Sequence, residues 1–180
     1  MTGMREGLRV RGLDAAEAQM RLGELADILV DALEYGASVN FMAGFSRDEA
    51  SAFWRSQLSG VADRSRLLFV GDDGRRLVGT VVLTFAPQPN APHRAEIGKM
   101  LVLSALRRQG LGRRLLSAAE GAARSAGRTL LLLDTESGSA GESLYRRSGW
   151  TEYGRVPGHA FTPDGRLAET TMYYKRLALR

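Results

Sequence analysis

Residues 107–116 (RRQGLGRRLL) place two glycines and four arginines where a strand pattern ends and a helix pattern begins. Glycine lets the backbone approach a ligand closely, and the unpaired N–H groups at a helix N-terminus attract anions. Arginine adds charge-assisted hydrogen bonds to phosphate oxygens. The segment therefore predicts a phosphate-binding turn.

Two other kinds of phosphate loop do not fit this segment. A nucleotide P-loop requires Gly-Lys-Ser/Thr, and no such triplet occurs here. A dinucleotide-binding fingerprint requires a third glycine at position 115, which is Leu115, and a parallel βαβ unit near the N-terminus. The turn must belong to another class of phosphate-binding protein.

Apolar spacing predicts the elements that position this turn. Four helices are expected, at about 14–35, after the capping pattern Ser46/Glu49, at about 110–126, and from the capping pattern Ser139/Glu142 to Gly149. Strands are expected at 8–10, 67–70, 77–85, 95–103, 129–133, 150–156 and 169–177. The 129–133 run is continuously apolar, which is typical of a strand buried on both faces.

The predicted order is β-α-α-β-β-β-α-β-α-β-β. An antiparallel first half that passes through a crossover helix into a buried strand predicts an α/β (α+β) fold. We expect a mixed, mostly antiparallel sheet of six to seven strands with helices on both faces. The sequence has no linker, repeat or low-complexity stretch, so residues 1–180 are expected to form a single domain.

Composition excludes several classes of function. The chain has 44% hydrophobic and 25% charged residues, as in globular proteins, and no apolar run approaches the roughly 18–20 residues of a membrane span. It has no cysteine, which excludes disulfides and thiolate chemistry, and no secretory signal pattern is seen at its N-terminus. A cytoplasmic protein without metal or membrane partner is expected.

The net charge of +5 and the pI near 10.1 suggest nucleic-acid binding at first sight. The arginines are scattered, however, apart from those at the predicted turn, and no aromatic residues interleave with that cluster. A local anion site explains the charge better, so no nucleic-acid partner is expected.

Arg107, Gly110 and Gly112 match the Arg/Gln-x-x-Gly-x-Gly/Ala signature of the GNAT superfamily of N-acetyltransferases, which the whole chain resembles. Residues 144–150 (LYRRSGW) resemble the family's next motif in order and spacing. The segments 36–39, 94–97, 156–158, 163–165 and 174–177 are similar to a narrower group, the tabtoxin-resistance-like acetyltransferases. The sequence departs from that group at Asn40 and at Gly98-Lys99, where Gly and Gln-Lys are usual.

The resemblance implies an acetyl-CoA-dependent acetyltransferase whose acceptor attacks the thioester directly, with no metal. The acceptor is expected to be the amine or hydroxyl of a small molecule, of toxin or antibiotic type, and the enzyme is expected to be a homodimer. The implied binding residues for acetyl-CoA are Met100, Leu101, Val102, Arg107, Arg108, Gln109, Gly110, Leu111, Gly112, Arg113 and Tyr145.

The resemblance also implies the catalytic groups. Tyr145 matches the tyrosine whose hydroxyl reaches the departing sulfur, although an aromatic side chain there could simply pack against the sheet. Asp134 ends the apolar strand at the sheet edge where ligands bind, and its spacing from Tyr145 matches the acid–tyrosine pair of the narrower group. It is the first candidate for the base and Glu96 is the second. As structural residues, Asp134 would cap the next loop, and Glu96 would be solvated or paired with Arg94.

Two alternatives remain open from the sequence. A protein or peptide N-acetyltransferase would share the fold but would need an open groove for an extended chain. A non-catalytic acyl-CoA-binding sensor would keep the phosphate turn without turnover. We expect the acceptor pocket to be bounded by the 36–41 loop, the second helix and the terminal hairpin.

Overall fold

The computed structural model describes residues 7–37 and 39–178. The strands are β1 (Arg9–Leu13), β2 (Arg66–Asp72), β3 (Leu77–Phe85), β4 (Arg94–Val102), β5 (Leu130–Glu136), β6 (Thr151–Phe161) and β7 (Leu167–Arg176). The helices are α1 (Ala15–Met20), α2 (Leu22–Glu34), α3 (Arg47–Ala62), α4 (Leu111–Ser125) and α5 (Ala140–Arg147). A short 3₁₀ helix (Ser104–Leu106) lies between β4 and α4.

The strands form one sheet in the order β1-β2-β3-β4-β5-β7-β6. Only the β4–β5 pair is parallel, and the other five pairs are antiparallel. The crossover from β4 to β5 runs through α4, as the sequence predicted. The prediction of a mixed, mostly antiparallel sheet is confirmed, with seven strands.

Helices cover both faces of the sheet. Every residue of β3 from Leu77 to Leu83 is buried, so neither face of this central strand meets solvent. On one face, Leu115 of α4 packs at Gly79, where an added Cβ would lie 3.1 Å from the leucine Cδ1. On the other face, α2 packs against the sheet through fully buried Leu25 and Leu29.

The predicted helix over 14–35 is wrong in one respect, because the chain breaks it at Arg21. Arg21 has φ −102° and ψ 14°, so α1 ends and α2 begins at this residue. Gly23, a poor helix former, follows the break immediately. Buried Ala18, Leu22 and Leu25 keep helical spacing across the break, which is why the apolar pattern did not reveal it.

Strand β5 is not buried on both faces, so the prediction drawn from the continuous apolar run at 129–133 is wrong. Its residues alternate: Leu131 and Leu133 are buried, Leu130 and Leu132 are half-buried, and Asp134 is exposed. The continuous apolar run reflects a strand with one covered face and one partly open face. That partly open face carries Asp134.

The two capping patterns have different outcomes. Ser46 and Glu49 form a complete capping box, because the Glu49 N–H donates to Ser46 Oγ and the Ser46 N–H donates to the Glu49 carboxylate. Ser139 caps α5 by accepting from the Glu142 N–H at 3.1 Å. The Glu142 carboxylate, however, accepts from the Gly138 N–H at 2.6 Å, so the second box is not reciprocal.

Glu142 ties α5 to the sheet. Its buried carboxylate also accepts from the Tyr173 hydroxyl at 3.1 Å and from Arg146 at 3.0 Å. Burial by itself would raise the pKa of the Glu142 carboxyl. The Gly138 N–H, the Tyr173 hydroxyl and Arg146 outweigh burial, so this pKa lies below its ordinary value.

We predict that Glu142→Ala lowers the free energy of unfolding by about 2–4 kcal/mol at pH 7, because it removes several hydrogen bonds to a buried charge. A depressed folded-state pKa gives stability that is present above the unfolded value, about 4.3, and is lost as pH falls through the folded value. Wild-type protein should therefore lose more stability than the variant between pH 7 and pH 3 in urea titrations.

Glu152→Ala is the matched control for this prediction. Glu152 also pairs with Arg146, at 3.0 Å, but its side chain is 35% exposed. Such a pair contributes less than about 1 kcal/mol. Equal losses in the two variants would show that the Glu142 network does not hold α5 in place.

Candidate active site

The parallel strands β4 and β5 separate along their length. They pair from Arg94↔Leu130 to Glu96↔Leu132, whereas β4 continues to Val102 and β5 to Glu136. A β-bulge in β4, opposite Val81, bends the strand at this point, and Lys99 in the bulge has φ +47°. The split exposes a β4 edge that can pair with an extended ligand as an added strand would.

The predicted cofactor residues Met100, Leu101 and Val102 lie at the end of β4, with Met100 still in the bulge. Leu101 is buried, and Met100 and Val102 are half-buried. Leu101 and Val102 pair with β3 on one side, while the β5 side of this segment pairs with nothing in the described part of the chain. The structure therefore leaves this edge available for the predicted contact.

The predicted phosphate-binding turn lies at the start of α4. Gly110 is the N-cap residue, with φ +83°, and no side chain caps the helix. The first helical bond runs from the Arg114 N–H to the Gly110 carbonyl, so the N–H groups of 111–113 precede it. The Leu111 side chain is buried and only its N–H can face a ligand, whereas Gly112 brings no side chain near the turn.

The arginines around this turn have two roles. Arg107 donates to the Val102 carbonyl at 3.3 Å and Arg114 donates to the Leu8 carbonyl at 2.9 Å, which fixes the turn to its neighbours. Arg108, at φ +60°, and Arg113 form no ion pair with any residue that the structure describes. These two guanidinium groups are the ones available to an anion. Gln109 donates locally, to the Ala105 carbonyl.

Tyr145 lies on α5, and its ring packs against Trp150 and Tyr173 with centroids 6.0 and 6.4 Å apart. Within 7–37 and 39–178 no group forms a hydrogen bond with its hydroxyl, so the local bond of a purely structural tyrosine is absent. Burial raises the pKa of the Tyr145 hydroxyl, and the Asp134 carboxylate raises it further. The phenol therefore keeps its proton at neutral pH and can donate it.

Asp134 is exposed at the open end of β5, two residues beyond Leu132, the last residue of β5 that pairs with β4. It does not cap the next loop: Thr135 bonds Ser139 instead, at 3.2 Å between hydroxyl oxygens. No residue in the described ranges forms a hydrogen bond or ion pair with it. A carboxylate without a structural partner is free to act on a ligand.

Glu96 lies on the same sheet face as Asp134, because it pairs with Leu132, two residues earlier on β5. It is exposed, and Arg94 donates to Gln88 at 3.0 Å. Glu96 lies at the last paired position of β4 and β5, whereas Asp134 lies beyond it, where the two strands have separated.

Lys99 is a feature of the site to which the sequence analysis assigned no role. Its Nζ lies 5.5 Å from the Phe41 ring centroid and 5.3 Å from that of Phe53. Burial lowers the pKa of the Lys99 ammonium, while Asp134 opposes the shift. The available signal was its rarity, since the chain has just one other lysine, Lys175.

A cavity of about 540 Å³ opens at the end of β5, and Lys99, Asp134 and Tyr145 are not among its lining residues. Its lining comes from the end of α2, the 43–45 loop, the end of β5 and the β6–β7 turn, with Leu33, Phe45, Glu136, Pro163 and Arg166 among the residues. Of the three predicted walls of an acceptor pocket, the terminal hairpin lines this cavity, the 36–41 loop contributes only Gly36, and α3 contributes no residue. Phe45 stacks on Phe41 at 4.3 Å, which joins the cavity to Lys99.

No helix among the described residues is long and apolar enough to cross a membrane. In the same part of the chain, no three His, Cys, Asp or Glu side chains are grouped to hold a metal ion.

Residues 26–150 match the model of the acetyltransferase (GNAT) family. Among solved structures, YncA of Salmonella typhimurium, determined with its cofactor acetyl-CoA, is 20% identical over 96% of this chain and 95% of that chain, with a TM-score of 0.74. The ribosomal-protein-alanine N-acetyltransferase of Brucella melitensis is 23% identical over 94% and 100%, with a TM-score of 0.72. A protein provisionally named phosphinothricin N-acetyltransferase is 19% identical over 95% and 99%, also at 0.72.

Proposed function

The chain belongs to the acetyltransferase (GNAT) family, and we propose that it moves an acetyl group from acetyl-CoA to the amine or hydroxyl of a small acceptor. One observation carries this proposal. The uncapped α4 turn follows the β4 edge that β5 leaves unpaired, and the Tyr145 hydroxyl on α5 forms no hydrogen bond with a described residue. Acetyl-CoA would contact these three features with its pyrophosphate, its pantetheine arm and its sulfur.

The residues present fit acetyl-CoA. The N–H groups of 111–113, with Arg108 and Arg113, would hold its pyrophosphate, and the β4 backbone at 100–102 would pair with its pantetheine arm. When bound, acetyl-CoA supplies an activated acetyl group on sulfur. The protein must bring the acceptor to that group, remove a proton from the acceptor and supply one to the departing sulfur.

Two side chains suit the proton transfers. Asp134 would accept the proton that the acceptor nitrogen or oxygen loses as it bonds to the acetyl carbon. Tyr145 would donate its proton to the sulfur as the carbon–sulfur bond breaks. Glu96 is the second candidate for the base. Tyr145 and Asp134 both lack a structural hydrogen bond among the described residues, which favours an enzyme over a non-catalytic acyl-CoA sensor.

The cavity favours a small acceptor over a peptide. The Ala43 N–H donates to the Pro163 carbonyl at 2.9 Å, so the 43–45 loop is bonded to the β6–β7 turn. This bridge closes the end of the groove that an extended chain would occupy. The likeness to the ribosomal-protein enzyme supports the alternative of a protein acceptor. The likeness to the tabtoxin-resistance-like proteins and to the phosphinothricin-named protein favours an amino-acid-like toxin.

Calorimetric titration with acetyl-CoA, desulfo-CoA and ATP, followed by thiol release, tests the proposal. We expect both CoA forms to bind and ATP not to bind. Acetyl-CoA should then release thiol with some member of a panel of amino acids, amino-acid-like toxins and polyamines, but not with a ribosomal-protein N-terminal peptide. A folded protein that binds neither CoA form would overturn the proposal, and turnover of the peptide alone would replace the small acceptor by a protein.

A further inference from the structure

Lys99 carries a charge for which the described part of the chain provides no close counter-ion. Its Nζ lies over two phenylalanine rings, and no carboxylate of a described residue approaches within 4.0 Å. The two cation–π contacts offset part of the free energy that desolvating this ammonium costs, and an anion would offset the rest. A desolvation cost of this kind within a candidate active site indicates that the Lys99 ammonium has a functional role.

The backbone holds Lys99 in this place. The residue has φ +47° in the β4 bulge, a conformation that costs a side-chain-bearing residue about 1 kcal/mol or more. The Thr80 hydroxyl, on fully buried Thr80, donates to the Lys99 carbonyl at 2.8 Å and secures the bulge. The bulge therefore directs the lysine toward Phe41 and Phe53 rather than leaving it on the sheet surface.

The charges on the two sides of the split have opposite signs. Lys99 projects from β4, and Asp134 ends the exposed face of β5. From the paired residues Glu96 and Leu132, Lys99 lies three residues further along β4 and Asp134 two residues further along β5, and the two side chains form no ion pair within 4.0 Å. The space between them suits a ligand whose own positive and negative groups are neighbours.

We propose that Lys99 binds a carboxylate on the acceptor while Asp134 receives the adjacent ammonium, so that the acceptor is an α-amino acid or a close analogue. This inference rests on the proposed function and narrows its acceptor class. Lys99 is a specificity residue here, since it contacts the acceptor but takes no part in the proton transfers. Arg166, a cation that lines the cavity, already pairs with Glu136 at 3.2 Å and is less available to a ligand.

The test compares amino acids with the amines that remain when their carboxyl groups are removed, for example leucine with isoamylamine and phenylalanine with phenethylamine. Thiol release from acetyl-CoA gives kcat/KM for each pair. The wild-type enzyme should prefer at least one amino acid over its amine. Lys99→Met should reduce kcat/KM for that amino acid by about 10- to 100-fold, the range of a charge-assisted contact, and change it for the amine by less than about threefold.

Three further measurements separate the possible failures. Lys99→Arg should recover part of the lost activity with the amino acid, and Lys99→Met should melt at or above the wild-type temperature and keep its acetyl-CoA affinity. An equal loss of activity with amino acid and amine, or a wild-type preference for amines, would overturn the role of Lys99. Acetyl-CoA binding with turnover of amines alone overturns only this inference, whereas loss of CoA binding in the wild type overturns the proposed function itself.

Discussion

Gly110→Trp is expected to weaken acetyl-CoA binding by at least about 100-fold while the protein stays folded. Gly110 caps α4 at the point where the N–H groups of 111–113 face outward, and nothing lies within 4 Å of an added Cβ. An indole there fits the protein but occupies the space that a pyrophosphate would need. Calorimetric titration with acetyl-CoA measures the loss directly.

The backbone at Gly110 complicates this substitution and requires a control. Its φ of +83° favours glycine, so any larger residue costs about 1–2 kcal/mol of stability. Gly74→Trp has the same cost, because Gly74 has φ +86° and equally open surroundings, but it lies in the β2–β3 turn. Both variants should lose similar stability in urea, and only Gly110→Trp should lose affinity.

Unchanged affinity in Gly110→Trp would place the phosphate elsewhere and remove the main support for the co-substrate site. Equal losses in both variants would instead attribute the effect to destabilisation. The control therefore separates a blocked site from a strained fold.

The turn was predictable from sequence because its chemistry is local. Gly110 and Gly112 stand at a strand-to-helix junction, and the left-handed φ at Gly110 is what that spacing requires. The mixed, mostly antiparallel sheet followed from the alternation of strand and helix patterns in the same way. The pairing of Asp134 with Tyr145 was implied by family spacing and stays a prediction.

The cavity and Lys99 depend instead on contacts between distant segments. Lys99 is paired with Phe41 and Phe53 by the packing of a loop and a helix onto a bulged strand, and no local pattern encodes the bulge. The bond from Ala43 to Pro163 joins positions far apart in the chain. The break at Arg21 is local, but the sequence pattern did not predict it, because helical apolar spacing continues across the change in backbone conformation.

Asp134→Asn is expected to lower kcat by about 100- to 1,000-fold, the usual contribution of a positioned general base. Asparagine keeps the size of the side chain and removes its ability to accept a proton. Because Asp134 forms no hydrogen bond or ion pair with the described residues, the variant should remain as stable as the wild type. Steady-state kinetics with the preferred acceptor, together with acetyl-CoA titration, should show lower kcat with unchanged co-substrate affinity.

Glu96→Gln is the matched control, since it makes the same change at an exposed carboxylate on the same face of the sheet. Its kcat should change by less than about threefold, because Glu96 lies beside the paired part of β4 and β5 rather than at the split.

The reverse result, with Glu96→Gln inactive and Asp134→Asn active, would make Glu96 the base. If each variant alone keeps most of the activity and the double variant loses it, a water shared by both carboxylates must carry the proton. Either result would leave the phosphate turn and the fold in place, because neither carboxylate contributes to them.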